Sequence, residues 1–146
     1  MSLVQRSGRA AVLVATFAAL ALLSCHRPCG TGQWYGTASY YTPPYEPSAC
    51  YGFEEQSGMF AAASETYLWE GGSACGKSYR VRCMSGTNDG VDVPCKDGQT
   101  VTVRIVDMCP ANSCQATIDL SNEAFAQIAD PKEGIINIYF EEYVQN

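Results

Sequence analysis

The sequence has 146 residues but only one histidine, His26. This residue borders an apolar N-terminal segment and lies outside the body of the chain. A Ser-His-Asp triad uses a histidine as its base, and many zinc sites use several histidines. We therefore expect no histidine-based triad, no metal site and no cofactor in this protein.

Basic side chains are also scarce. Nine lysines and arginines stand against 15 aspartates and glutamates, which gives a formal net charge of −6 at pH 7. A surface of this sign repels phosphate backbones and anionic lipid headgroups. Nucleic acids and a polybasic membrane patch are therefore excluded as partners.

The apolar run at residues 11–23 is too short to cross a bilayer, which takes about 20 residues. Arg6 and Arg9 precede it and the small Ser24 follows it, a pattern typical of a secretory signal. We predict a signal peptide at 1–24, an N-terminal segment at 25–33 and one domain at 34–146. An alternative, a lipoprotein signal ending at Cys25, stays open. In either case the chain leaves the cytosol, and we expect no membrane span.

Eight cysteines are present, and no two of them have the C-x-x-C spacing of zinc or redox motifs. An even number of cysteines in a small exported chain predicts a disulfide framework rather than a metal site. Eight cysteines allow 105 different pairings, so spacing alone does not choose among them.

Strand patterns dominate the chain. Residues 34–41 are rich in aromatic and β-forming residues, residues 59–63 are a short apolar run, and three further segments alternate apolar with polar residues. Those segments are 78–83, 99–106 and 135–143, with inward-facing residues Tyr79, Val81, Cys83, Val101, Val103, Ile105, Ile136, Ile138 and Phe140. One helix is predicted, beginning after an N-cap at Ser121 and ending before Pro131. This order favours a small closed β-barrel.

Two aspartates border apolar segments. Asp107 follows a predicted strand, and Asp119 lies between Ile118 and Leu120 just before the helix. Desolvation at such a place raises the pKa of a carboxyl group, as a general acid requires. The alternative is that each carboxylate binds backbone amides and fastens a turn. We favour that structural role for Asp107, a weak catalytic candidate, and keep both roles open for Asp119.

Aromatic residues cluster between Trp34 and Tyr51. Rings exposed in a groove can stack on the apolar faces of sugars, whereas buried rings pack the core. We predict a glycan-binding groove that includes Tyr51 and, from the comparison that follows, Thr37, Tyr40 and Tyr41.

Six short motifs occur in order, at residues 36–41 (GTASYY), 48–52 (SACYG), 74–76 (ACG), 79–83 (YRVRC), 106–110 (VDMCP) and 117–121 (TIDLS). Over residues 34–143 the chain resembles the expansin-like proteins known as plant natriuretic peptide-like or blight-associated proteins. That family belongs to the double-psi β-barrel group, with expansins, barwin, family 45 endoglucanases and rare lipoprotein A as wider relatives.

The resemblance implies a mainly β fold, a six-stranded double-psi β-barrel with one short α-helix. It also implies three disulfides, Cys50–Cys75, Cys83–Cys95 and Cys109–Cys114, and leaves Cys25 and Cys29 outside the family pattern. Asp119 matches the proton donor of the endoglucanases, which expansins need for wall loosening. Thr37 and either Tyr40 or Tyr41 match the groove residues around it.

Two departures from the wider relatives bear on activity. Expansins usually have His-Phe-Asp where this chain has Thr117, Ile118 and Asp119, and the endoglucanases carry a base aspartate in a first strand that here contains no acid. Inverting hydrolysis needs two carboxyl groups roughly 6.5–9.5 Å apart. Asp107 would supply the second one only if the barrel turned it into the same groove.

We therefore lean against an enzyme. The predicted function is that of a secreted monomer of the apoplast or cell wall, acting without hydrolysis. Its partner would be a cell-wall polysaccharide, or an extracellular receptor if it acts as a signal in water and ion homeostasis. The alternative is an endoglucanase-like or lytic transglycosylase-like enzyme with Asp119 as its general acid.

Overall fold

A computed structural model describes residues 32–88 and 93–145. The predicted signal peptide, His26, Cys25 and Cys29 lie outside the described residues. Within them the chain forms β1 (Gln33–Tyr41), β2 (Phe60–Ser64), β3 (Ser78–Gly86), β4 (Val101–Cys109), β5 (Ile118–Ser121), α1 (Asn122–Ile128) and β6 (Ile136–Glu142). Short 3₁₀ turns occupy Glu70–Gly72 and Pro131–Glu133. In this part of the chain, no helix has the length and apolar character needed to span a bilayer.

The six strands close into a barrel in the order β1-β5-β2-β4-β3-β6. Two neighbouring pairs are parallel, β1 with β5 and β2 with β4, and the other four pairs are antiparallel. Closure gives each strand two neighbours, although the N-terminal part of β1 extends beyond its pairing with β5. The prediction of a mainly β, six-stranded barrel with one short α-helix is confirmed.

The alternating residues of the long strands fill the barrel. Val81, Val103 and Ile138 are buried, and Phe125 and Ile128 of α1 close one end of the same core. Each fully buried aliphatic or aromatic side chain contributes about 1.5–3 kcal/mol relative to its exposed state. The helix begins where predicted, because the Ser121 hydroxyl accepts a hydrogen bond from the Ala124 amide at 3.3 Å.

Strand β5 has only four residues, and the pattern of the sequence did not single it out as a strand. It pairs with β1 on one side and with β2 on the other, so it is fixed by contacts remote in sequence. Ile118 and Leu120 point into the core, and Asp119 therefore points out of the barrel. This short strand sets the direction of the predicted acid.

Three disulfides link the loops to the barrel: Cys50–Cys75, Cys83–Cys95 and Cys109–Cys114. These are the pairs that the resemblance implies, and the prediction of a disulfide-stapled barrel is confirmed.

Candidate functional site

Four side chains form one row on the outer face of the barrel. Ser39 of β1 pairs in register with Asp119 of β5, Asp119 with Ala62 of β2, and Ala62 with Asp107 of β4. Residues next to this row belong to the core: Ala38, Ala61, Ile118 and Leu120. Neighbouring strands lie about 4.8 Å apart, so the Cα atoms of the two aspartates are separated by roughly 9.6 Å. We call these four residues the acid row.

A β-bulge brings Asp107 into the acid row. Ala61 pairs with Ile105, but the next residue, Ala62, pairs with Asp107, so Val106 is an extra residue in β4. Strict alternation from the buried Ile105 would turn Asp107 toward the core. The extra residue re-aims the strand, as bulges commonly do next to functional sites. Asp107 therefore faces the same side of the barrel as Asp119.

Asp119 is half-buried and bound by one hydroxyl. The Ser39 Oγ donates a hydrogen bond to the Asp119 Oδ1 at 2.7 Å. Burial raises the pKa of Asp119, the Ser39 hydrogen bond lowers it, and the negative charge of Asp107 raises it, with a net shift upward. A carboxyl group with a raised pKa keeps its proton to a higher pH than an ordinary aspartate, and in the protonated form it can donate a hydrogen bond.

Asp107 is bound differently. Its Oδ1 accepts hydrogen bonds from the backbone amides of Ala49 at 2.7 Å and Met108 at 2.8 Å. The first of these bonds holds the loop that contains Cys50, whose own amide donates to the Val106 carbonyl at 3.0 Å. One oxygen of Asp107 is therefore used to fasten a loop.

Aromatic rings flank the acid row. The Tyr41 ring meets Tyr45 edge-on at 5.1 Å, and Tyr45 meets Phe60 in the same way at 4.8 Å. The Tyr45 hydroxyl donates to the Glu123 carboxylate at 2.6 Å, and burial together with this bond raises the pKa of Tyr45 to about 12. The rings thus pack edge to face near the acids.

The Tyr41 hydroxyl is buried, and it has no hydrogen-bond partner among the described residues. Burial, followed by the charges of Asp107 and Asp119, strongly raises the pKa of Tyr41. The phenol therefore stays protonated at any physiological pH, as a neutral group close to both acids.

The other predicted groove residues occupy different places. Thr37 lies on the outer face two residues before Ser39, and its amide donates to the Thr117 Oγ1 at 3.2 Å. Tyr51 lies in the loop held by Asp107, with the Arg104 guanidinium 5.4 Å from its ring centre.

Tyr40 and Tyr41 are separated by the alternation of β1. Tyr40 packs its ring on Phe125 of the core at 4.9 Å, although it also lines the groove beside Asp119. Tyr41 is therefore the tyrosine of this pair on the Asp119 face. The groove beside Asp119 has a volume of about 420 Å³, and its lining also includes Ser113 and Gln115.

Ser39 is a site residue that the sequence analysis did not single out. The signal for it was present, because alternation along β1 places Ser39 with Thr37 on one face. Among residues 32–88 and 93–145, no group of three or more histidine, cysteine or acidic side chains is arranged to hold a metal ion.

Comparison with known proteins agrees with this architecture. The double-psi β-barrel family described as "Lytic transglycolase" matches residues 61–140. An EG45-like domain containing protein of Citrus jambhiri is 51% identical over 129 residues, covering 88% of this chain and 93% of the relative. A putative EG45-like domain containing protein 1 of Arabidopsis thaliana is 52% identical over 106 residues, covering 72% of this chain and 80% of the relative.

Among solved structures, a mutant Clavibacter michiganensis expansin in complex with cellohexaose superposes with a TM-score of 0.59 at 24% identity. The match covers 79% of this chain and 52% of that one, so the chain spans about half the length of the expansin. The fold is the same, and the prediction of a double-psi β-barrel is confirmed. The chain therefore belongs to the family of EG45-like domain proteins, built on the expansin-like double-psi β-barrel.

Proposed function

We propose that this chain is a secreted, expansin-like protein that binds cell-wall polysaccharide at the acid row without cleaving it. In this proposal residues 1–24 are a signal peptide, and the barrel acts in the extracellular space as a monomer. Three disulfides in the described part of the chain support this location, since such bonds persist in oxidising compartments. The bacterial expansin crystallised with cellohexaose supports a glycan partner.

The unequal binding of the two aspartates carries the proposal. Asp119 has a raised pKa and faces an open groove, so its carboxyl group is available to a sugar hydroxyl. Inverting hydrolysis would also need a second carboxylate free to activate water. Asp107 is the nearest such group in the row, and two backbone amides already bind one of its oxygens. The arrangement therefore favours recognition over bond cleavage.

Replacing Asp119 by asparagine tests the proposal. The change keeps the size of the side chain but removes its acidic proton, and we expect oligosaccharide binding and wall loosening to fall at least about tenfold, a loss of about 1.4 kcal/mol. Asp97→Asn, the same change at an exposed loop position, is the matched control and should behave as wild type. Calorimetric titration with cellohexaose and extension of isolated cell walls under load are the measurements.

Two outcomes would contradict the proposal. Wild-type protein that binds no wall polysaccharide and loosens no wall would remove glycan contact as the function. A receptor response that is unchanged in Asp119→Asn would favour the extracellular signal instead.

Glycan cleavage is the second candidate function, because the bulge in β4 places Asp107 in the same row as Asp119. Inverting glycosidases hold their two carboxyl groups roughly 6.5–9.5 Å apart, and the roughly 9.6 Å between the Cα atoms of these two acids is of the same order. Cleavage would appear as new reducing ends or shortened chains that Asp119→Asn abolishes. The mass of the products separates the two chemistries, since hydrolysis adds a water and lytic transglycosylation does not.

A further inference from the structure

A second cleft lies at the N-terminal half of β1, beyond Thr37 as seen from Asp119. Its volume is about 450 Å³, within the range of roughly 300–1,000 Å³ typical of small-molecule sites. Its lining includes Trp34 and Tyr35 of β1 and Tyr67 from the loop after β2. β5 begins its pairing with β1 only at Ala38, which leaves this part of β1 open on that side.

The walls of this cleft are exposed aromatic rings. Tyr35 is 78% exposed, Tyr67 is 71% exposed and Trp34 is 41% exposed. Each ring from β1 also contacts the ring of its cross-strand neighbour on β6, since Trp34 stacks on Phe140 at 5.5 Å and Tyr35 meets Tyr139 edge-on at 5.5 Å. Rings that are held in place and exposed to solvent can bind an apolar face at little entropic cost.

The cleft continues the face that carries the acid row. Tyr35, Thr37 and Ser39 point to the same side of β1, so Tyr35 and Ser39 lie roughly 13 Å apart along the strand. Thr117, which lines the cleft, stands two residues before Asp119. One extended ligand can therefore follow the outer face from the acids to the aromatic cleft.

We propose that this cleft is a distal subsite for the same polysaccharide chain, holding a sugar ring against the exposed rings of Tyr35 and Tyr67 while another part of the chain lies at Asp119. The inference rests on the proposed function, because it assigns a second contact to the ligand of the acid row. Sugar rings present apolar faces and hydroxyl edges. The aromatic walls match the faces, and the charged groups of Glu70 and Lys77 at the cleft match the hydroxyls.

Chain length of the ligand is the test. Calorimetric titration of wild type, Tyr35→Ala and Tyr67→Ala with cellohexaose and cellobiose compares a ligand that reaches both sites with one that cannot span them. We expect each alanine variant to weaken cellohexaose binding about tenfold and to leave cellobiose binding at the acid row unchanged. Asp119→Asn should weaken the binding of both ligands.

Two controls keep the result interpretable. Tyr35→Phe retains the ring and should bind cellohexaose more tightly than Tyr35→Ala. Phe53→Ala removes a ring that is 84% exposed and does not line this cleft, so it should bind as wild type. Thermal unfolding checks that each variant is folded, and Tyr67→Ala carries the test alone if Tyr35→Ala is not. Wild-type affinity for cellohexaose in both alanine variants would overturn the distal subsite and leave the acid row intact. Failure of wild type to bind either oligosaccharide would overturn the distal subsite, and the proposed function would fall with it if wild type also bound no wall polysaccharide.

Discussion

Asp119 and Asp107 stand in one row of the barrel with only Ala62 between them, yet their surroundings differ. Asp119 receives one hydrogen bond, from the Ser39 hydroxyl, and burial raises its pKa. Asp107 receives two, both from backbone amides, and one of those amides belongs to a loop 58 residues away in sequence. Asp107 therefore fastens a loop, whereas Asp119 remains available to a ligand.

The type of hydrogen-bond donor explains why one acid is structural and the other is available to a ligand. Backbone amides bind a carboxylate in its charged form and give it a structural role. A hydroxyl can donate to a carboxylate or accept from a carboxylic acid, so it supports either protonation state. Strand register places the two acids in one row. The hydrogen-bond donor that each acid meets, a hydroxyl or a backbone amide, then gives it a different role.

The largest expected effect concerns the loop at the Asp107 end. Replacing both Cys50 and Cys75 by serine opens a link with a sequence separation of 25 and should lower the free energy of unfolding by about 3 kcal/mol. Urea unfolding of the non-reduced protein, followed by tyrosine and tryptophan fluorescence, measures the loss.

The matched control replaces Cys109 and Cys114, whose separation is 5 and whose loop borders the Asp119 groove. It should cost about 1 kcal/mol less. An equal loss for both pairs would contradict loop length as the source of the difference between the two disulfides.

A smaller effect is expected from Asp107 itself. Asp107→Ala removes the acceptor of two backbone amides and should lower the free energy of unfolding by about 2 kcal/mol. Asp107→Asn keeps an acceptor oxygen and should lose less than half of that amount. Urea unfolding measures both changes, with Asp97→Ala at an exposed position as the control. If Asp107→Ala were as stable as wild type, the loop-fastening role would be lost and the catalytic interpretation of Asp107 would gain support.

Much of the barrel followed from local patterns. Alternating residues in β3, β4 and β6 marked the strands and their inward faces, and Ser121 with Pro131 marked the helix. These features depend on residues close together in sequence. The disulfide pairs did not follow from cysteine spacing and came only from the resemblance.

The site was harder to predict, because it depends on pairing between remote segments. Strand β5 is too short for a periodic pattern and exists through its contacts with β1 and β2. The bulge at Val106 is defined only against its partner strand, and without it alternation would turn Asp107 inward. The sequence therefore indicated which acids matter but not that they share a row. Roles for Thr37, Tyr40, Tyr41 and Tyr51 in glycan binding stay predictions.

The smallest effect is a change in how stability depends on pH at the Asp119 end. Because the pKa of Asp119 is higher in the folded protein than its value of about 3.9 in an unfolded chain, the folded state binds more protons between these two values. Its contribution to stability is thus greatest below about pH 4, falls as the pH rises through the folded pKa, and is constant above it.

Asp119→Asn removes this proton. The variant should show a flatter stability profile above pH 4 and be slightly more stable than wild type at neutral pH, the opposite sign to Asp107→Ala. Urea unfolding at a series of pH values measures both slopes, with Asp97→Asn as control. A steeper profile in Asp119→Asn than in wild type would mean that the folded barrel favours the charged form of Asp119, and the contrast between the two acids would disappear.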